Sequence, residues 1–325
     1  MRVAVLAVSW WCSSSSRAWS WTPSPYIGAW VILVAVIATA VWWRARGRHQ
    51  EREPDAREAA ALERGSGPYP SGSTSRSVAF AFGVLGLWAC LDWPLAALGA
   101  GYLATAQMAR QILMVLVVAP LLLYACPPGL AVRLVGWGKR LTVLRLVARP
   151  FVAIAIAALS LVAVNAPAVV DPLVRTPYGA FVLDGIWIVA GFVLWMPVQC
   201  PHPGVRRLEG PVALGYLILQ SIVPVLPGFW MTWADFPIYR VYELAPRVIE
   251  GFDAVSDQQA AAAVLQVGGM VVLWFQIAFR FLRWGYAQME DGRGGRPRPG
   301  ASSGGASDGD GAGAKPIRGA AAPAS

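Results

Sequence analysis

The sequence predicts an all-α integral membrane protein, a bundle of about seven transmembrane helices with its N-terminus outside and its C-terminus in the cytoplasm. Of the 325 residues, 56% are hydrophobic and only 14% are charged, whereas a soluble globular chain carries about 25% charged residues. Several apolar runs reach the roughly 20 residues that cross about 30 Å of hydrocarbon. The basic residues gather in alternate loops between these runs, which is typical of multi-pass membrane proteins.

Seven apolar runs are long enough to span a bilayer. Each should be a helix, because lipid offers no hydrogen-bond partner to an open backbone. In chain order the predicted spans cover residues about 26–43, 78–98, 102–124, 150–169, 178–198, 211–231 and 258–282.

The charge of the loops between these spans predicts the orientation of the chain. The first, third and fifth loops are basic, with Arg44, Arg46, Arg48, Arg52, Arg57, Arg64 and Arg76, then Arg133, Lys139, Arg140, Arg145 and Arg149, then Arg206 and Arg207. The sixth loop is acidic, with Asp235, Glu243, Glu250, Asp253 and Asp257 against Arg240 and Arg247. Basic loops stay in the cytoplasm. The net charge of +9 therefore reflects topology, and the expected partner is the lipid bilayer and not nucleic acid.

The two ends of the chain differ from its middle. Residues 1–25 form an expected external tail, in which VAVLAVSWWC (3–12) looks like a signal segment but has no convincing cleavage site after it. Residues 26–284 form the predicted membrane domain. Residues 285–325 are mostly Gly, Pro, Ser and Ala without apolar periodicity, and we expect a disordered cytoplasmic tail.

Polar residues interrupt the third span. Gln107 and Gln111 are four residues apart and share a helix face, which Arg110 adjoins. A buried arginine is costly and should find a carboxylate. Asp184, at a similar depth in the fifth span, is the first candidate. Asp257, at the start of the seventh span, is the second, and it is followed by Gln258 and Gln259. We predict a polar pocket in the outer half of the bundle; the alternative is a set of hydrogen bonds that only hold the helices together.

The sequence contains no GxSxG, HExxH, Walker loop or CxxCH motif, so we do not expect an enzyme. Cys126, Cys200 and His202 are expected together on the cytoplasmic side, where thiolates would suit Cu(I). Unrelated apolar cysteines are much commoner than such sites, so this metal site is the weaker interpretation.

Four stretches resemble the CtaG-like family of cytochrome c oxidase assembly proteins, seven-helix proteins of bacterial plasma membranes. They are AFAFGVLGLWACLDWPLAAL (79–98), ATAQMARQILMVLVVAPLLLYACPP (104–128), FVLDGIWIVAGFVLWMPV (181–198) and FPIYRVYELAPRVIEGFDAVSDQQ (236–259). The FPxY at Phe236 and the final Asp257-Gln258-Gln259 are the most specific parts. The resemblance implies a multi-pass plasma-membrane protein that takes part in respiratory chain biogenesis, with oxidase subunits or other assembly factors as partners.

One departure from the family bears on its cofactor. The family typically carries two pairs of intramembrane histidines, the natural candidates for copper ligands; here these positions hold Gln107 and Gln111, and Ala180 and Asp184. Copper handling by this chain would therefore need Cys126, Cys200 and His202, or a partner. We expect Arg110 and Asp184 to form an ion pair where the family holds a cation.

Three functions remain open at this point. The first is an accessory factor for a haem-copper cytochrome c oxidase that acts by binding proteins. The second is a transporter that uses the polar pocket for a small polar solute, with Arg110 as counter-charge. The third is a divergent paralogue with a purely structural role.

Overall fold

A computed structural model describes residues 9–47, 73–223 and 225–293, and in these ranges the chain forms helices joined by loops. The chain divides into two compact units, Met1–Trp284 and Gly285–Ser325. The expected disorder of the C-terminal tail falls largely on residues 294–325, which lie outside the described ranges.

The helices of the described residues are numbered here in chain order. They are α1 (Ile27–Gly47), α2 (Ser73–Leu91), α3 (Leu95–Gly101), α4 (Ala104–Ala125), α5 (Pro128–Val135), α6 (Lys139–Val147), α7 (Pro150–Val164), α8 (Pro167–Val174), α9 (Pro177–Gln199), α10 (Gly210–Gln220), α11 (Val225–Trp233), α12 (Arg240–Glu243) and α13 (Ala254–Arg293). Four of them, α5, α7, α8 and α9, begin at a proline, which suits the first turn because its N–H would have no helical partner there.

Six helices or helix pairs are long and apolar enough to cross a membrane. They cover Ile27–Arg46, Thr74–Leu91, Ala104–Ala125, Pro177–Gln199, Gly210–Trp233 and Ala254–Tyr286. These ranges overlap six of the seven predicted spans, the fourth being the exception.

The fourth predicted span, residues 150–169, is not one straight helix. Helix α7 has 15 residues, which rise about 22 Å, less than the hydrocarbon thickness of about 30 Å. It stops because Ala166 precedes Pro167 and is extended, as residues before proline usually are. Helices α6 and α7 together pass the length and composition test but are bent by 78°. The count reaches seven only if this pair is one span.

The second predicted span is also shorter than expected. We predicted residues 78–98, but α2 ends at Leu91 and α3 is a separate helix. The Asp92 carboxylate accepts hydrogen bonds from the Trp88 indole at 3.2 Å and from the Tyr26 backbone N–H at 3.0 Å. Pro94 follows and cannot continue a helical hydrogen-bond ladder.

Helices α4 and α13 each contain a π-helical segment, Leu113–Val118 and Val264–Gly268. A π turn changes which backbone carbonyls the helix itself satisfies. In α4 the Val115 carbonyl accepts the Trp195 indole N–H at 2.9 Å, and the Leu116 carbonyl accepts the Gln276 amide at 2.7 Å. Side chains of α9 and α13 thus bind the widened part of α4.

The loops gather at two ends of the bundle. The distal end comprises residues 9–26, α3, α8 and residues 234–253, and backbone and side-chain hydrogen bonds tie these segments together. The basic end comprises the end of α1, the start of α2, residues 126–149 and residues 200–209. The distal end is the expected outer side, and the basic end is the expected cytoplasmic side.

Candidate functional site

An ion pair between α4 and α9 lies near the distal end. The Arg110 Nη2 is 2.7 Å from Asp184 Oδ2 and 2.8 Å from Oδ1. The two side chains are 1% and 3% exposed. The sequence-based pairing of these two residues is therefore present in the structure.

Further polar groups surround the Arg110 guanidinium. Its Nε donates to the Cys90 carbonyl at 2.7 Å, and its Nη1 donates to Gln107 Oε1 at 2.9 Å. The ring of Trp187 lies 5.7 Å from the guanidinium carbon, within the range of a cation–π contact. A buried charge is tolerated only when it is paired and hydrogen-bonded, and Arg110 meets both conditions.

The segment before α1 covers this ion pair. Trp11 is 1% exposed, and its indole N–H donates to Asp184 Oδ2 at 3.0 Å. Its neighbour Cys12 is fully buried, and burial raises the pKa of its thiol to about 12. Residues 1–25 were predicted as an external N-terminal tail, and their described part, residues 9–25, supplies two residues to the core of the bundle. Sequence reasoning missed this role because VSWWC is too short to show a periodicity.

Gln111 does not join this cluster, contrary to the predicted pocket. It faces a separate cavity of about 20 Å³, which it shares with Gln220 of α10. The Gln111 Oε1 and both amide atoms of Gln220 are buried without a hydrogen-bond partner. Arg110 and Gln111 diverge because consecutive helical residues point about 100° apart.

Asp257 binds a different part of α4. Its carboxylate accepts the backbone N–H of Ala104 at 2.7 Å and that of Thr105 at 3.0 Å. It also accepts the Thr105 hydroxyl at 2.7 Å. Asp257 is thus an N-cap supplied by another helix, where a negative charge is favourable. As a second partner for Arg110, Asp257 was the wrong prediction.

The two glutamines after Asp257 also lie outside the cluster. Gln258 accepts the Ile238 N–H at 2.7 Å and donates to the Met231 carbonyl at 3.2 Å, so it holds residues 231–238 against α13. Gln259 is exposed. Of the seven predicted pocket residues, the structure brings together Gln107, Arg110 and Asp184.

A copper ion does not fit among the residues at the family's histidine positions. Ala180 offers no ligand atom, and Gln111 faces the other cavity. Asp184, the one carboxylate, already binds the Arg110 cation and the Trp11 indole. A second cation beside the guanidinium would meet direct repulsion in a buried site.

The predicted Cu(I) site at the basic end does not form either. Cys126, Cys200 and His202 line one groove, but no group of three His, Cys, Asp or Glu in the described ranges is arranged to hold a metal. The His202 Nδ1 accepts the Gly204 N–H at 3.0 Å, so its Nε2 donates to the Gly136 carbonyl at 3.2 Å. Burial raises the pKa of both thiols to about 11, which keeps them protonated at neutral pH.

Residues 234–253, the distal loop, form an ordered surface. The Tyr239 hydroxyl donates to the Asn165 carbonyl at 2.7 Å, and the Tyr242 hydroxyl donates to the Gly99 carbonyl at 2.8 Å. Asp171 accepts the N–H groups of Arg240 and Val241 at 3.2 and 3.0 Å. Sequence reasoning missed Asp171 because its partners lie about 70 residues away.

The outer face of the distal loop mixes apolar and acidic side chains. Phe236, Leu244 and Ile249 are 66%, 70% and 53% exposed. The exposed carboxylates on the same loop are Asp235, Glu243, Glu250 and Asp253, and they outnumber its exposed arginines, Arg240 and Arg247. An anchored loop with this composition is suited to contact another protein.

A protein-family model described as cytochrome c oxidase caa3 assembly factor matches residues 57–286. No curated protein matches the chain, and no solved structure matches it. The matched range holds Arg110, Asp184 and the distal loop. Trp11 and α1 lie outside it.

Proposed function

This chain belongs to the cytochrome c oxidase caa3 assembly factor family, and we propose that it is an accessory protein in the assembly of a haem-copper cytochrome c oxidase. It acts by binding oxidase subunits or another assembly factor, and it catalyses no reaction. The multi-pass chain resides in the bacterial plasma membrane, with the distal end outside.

The observation that carries this proposal is the distal loop. Its exposed Leu244 and Ile249 would each gain from burial in an interface. Tyr239, Tyr242 and Asp171 hold the loop in place before a partner arrives. Binding then costs little ordering entropy, which favours affinity. The loop exposes four carboxylates against two guanidinium groups, and this acidic excess favours a partner with a basic patch.

The ion pair serves this function as a scaffold. Arg110 and Asp184 join α4 to α9, and Trp11 joins the segment before α1 to both. Because the charges neutralise one another, this site delivers no copper. Copper enters the pathway, if at all, through a partner.

The transporter interpretation finds no support in the site. It required Arg110 as counter-charge for a solute, but Asp184, Gln107 and Cys90 bind this guanidinium. A solute would have to displace a carboxylate from a side chain that is 1% exposed, which would cost several kcal/mol.

Co-purification tests the proposal. The tagged chain should retain oxidase subunits from mildly solubilised membranes, and the L244A/I249A variant should lose most of them while folding normally. Tyr178→Ala removes another exposed side chain, at the start of α9 and outside the distal loop (69% exposed), and should retain the subunits.

The haem spectrum of deletion membranes supplies a second measurement. We expect a strain without this chain to lose the oxidase bands of the reduced-minus-oxidised spectrum, and added copper should not restore them. Restoration by copper would point to metal supply, and an unchanged oxidase would refute an assembly role.

A further inference from the structure

A large groove opens at the basic end, away from the ion pair and the distal loop. Its volume is about 810 Å³, and α1, α2, α4, α5 and α9 all contribute to its walls. Most of its lining is apolar, including Val36, Trp43, Leu122, Leu134 and Phe192. A groove of this size is within the range of small-molecule sites.

The groove has the depth of one membrane leaflet. On α1 its lining extends from Ile32 to Arg44, which lie twelve positions apart and therefore about 18 Å apart along the helix axis. Half of a hydrocarbon core of about 30 Å is about 15 Å. A transmembrane helix of a partner would pack along most of the full thickness, whereas α2 and α4 line this groove only over residues 76–80 and 122–125, at the basic end. Its depth therefore favours a lipid.

The charged end of the groove selects the kind of lipid. Arg44 and Arg76 line it there, and the Arg44 Nη2 donates to the Ser77 hydroxyl at 3.0 Å. None of the described residues that line the groove is acidic. Two guanidinium groups and a hydroxyl form a recognition set for phosphate oxygens.

We propose that this groove binds an anionic phospholipid. The phosphate lies against Arg44 and Arg76, and an acyl chain lies along α1 toward Ile32, against Val36 and Phe192. Basic pockets between transmembrane helices bind anionic headgroups in this way. The lipid packs against α1, α2 and α4 and stabilises their arrangement by mass action.

Lipid titration followed by native mass spectrometry tests this site. The full chain in detergent is titrated with phosphatidylglycerol and, separately, with phosphatidylcholine of the same acyl chains. At about fivefold for each arginine, the R44Q/R76Q variant should lose about 25-fold in affinity for phosphatidylglycerol. Its affinity for phosphatidylcholine should change little.

Two matched control variants distinguish lipid binding in the groove from general effects of lost charge or added bulk. R140Q/R206Q removes the same charge from exposed arginines of the basic end outside the groove, and it should bind phosphatidylglycerol like the wild type. Ala40→Phe fills the groove and should weaken both lipids at least tenfold. Ala38→Phe adds the same ring on an exposed position of α1 that does not line the groove, and it should weaken neither.

Two results would overturn the proposal. One is equal affinity of the wild type for the two lipids, together with unchanged phosphatidylglycerol binding by R44Q/R76Q. The other is a photocrosslinker at position 40 that captures a protein in membranes and no lipid, since the groove would then hold a partner helix.

Discussion

At the scale of single residues, the ion pair between α4 and α9 is removed from water. Arg110 and Asp184 are 1% and 3% exposed, so each depends on the other for compensation. Such pairs add little net stability compared with apolar side chains, but the loss of one partner leaves an uncompensated buried charge. Their energetic effect should therefore be strongly non-additive.

Replacement of the two charges tests this coupling. Arg110→Gln alone and Asp184→Asn alone should each destabilise the protein by about 3–5 kcal/mol, because one buried charge loses its partner. The double variant should be more stable than either single variant. Thermal unfolding of the purified protein in one detergent measures the double-mutant cycle. Additive effects would show that the two charges do not interact energetically.

Two buried glutamines, Gln220 and Gln258, should respond in opposite ways to replacement by leucine. Gln220→Leu should raise the unfolding midpoint, because neither amide atom of Gln220 has a partner and an unpaired buried polar group costs about 1–3 kcal/mol. Gln258→Leu, the matched control, should lower it, because Ile238, Met231 and Phe236 lose their hydrogen-bond partner. A similar fall in both variants would mean that Gln220 is satisfied in the folded protein.

At the scale of elements, α4 is the central helix of the bundle. It packs against α2, α9 and α13. Asp257 caps its start, and Trp195 and Gln276 bind its π-helical segment. The approach of α9 depends on Gly191, where a Cβ would lie 2.7 Å from the Ala119 Cβ and 3.1 Å from the Val115 Cα. Any side chain at this position must push the two helices apart.

Two glycines of α9 allow a matched test of this packing. Gly191→Val should destabilise the protein by about 1–3 kcal/mol or more, because overpacking forces a backbone shift. Gly185→Val places the same side chain where a Cβ would have no neighbour within 4 Å, and it should change stability by less than about 1 kcal/mol. The measurement is the unfolding midpoint together with the yield of monodisperse protein. Equal tolerance of both substitutions would contradict close packing at Gly191.

At the scale of the whole molecule, the two ends of the bundle have different chemistry. The distal end carries the acidic loop, and the basic end carries the arginines of three loops. This asymmetry predicts that the distal end is outside and the basic end is in the cytoplasm.

Cysteine labelling in intact cells tests this orientation. Cys12, Cys90 and Cys200 are buried, so a Cys126→Ser background should react little. In that background Ser20→Cys, in the distal end, should react with a membrane-impermeant maleimide added outside. Arg140→Cys, in the basic end, should react only after the cells are opened. The reverse labelling pattern would show that the basic end is outside and the distal end is in the cytoplasm.

Much of the fold was predictable because helix formation in lipid is a local requirement. The length of an apolar run decides whether it can cross the membrane. Six of the seven predicted spans overlap helices that are long and apolar enough to do so. The fourth is interrupted because Ala166-Pro167 ends α7 early, and it qualifies only together with α6. The family was predictable as well. Four stretches with characteristic polar residues and prolines led to the family assignment, and the match over residues 57–286 confirms it.

The candidate site was predictable only in part. Arg110 demanded a carboxylate, and depth in the membrane was enough to select Asp184. Depth could not predict whether Gln107 or Gln111 binds the Arg110 guanidinium. The rotation of α4 against its neighbours decides which of the two does. Nor could depth assign Asp257 to the start of α4, since that contact joins residues about 150 positions apart.

The sequence by itself determined the class of protein, the expected orientation and the presence of a costly intramembrane charge, because these follow from hydrophobicity, loop charge and the price of burial. Only the tertiary structure decided that Trp11 covers the ion pair, that Asp257 caps α4 and that Arg44 and Arg76 share a groove. These contacts depend on the rotation and approach of whole helices. Such packing is settled by side chains far apart in the chain, and no local pattern records it.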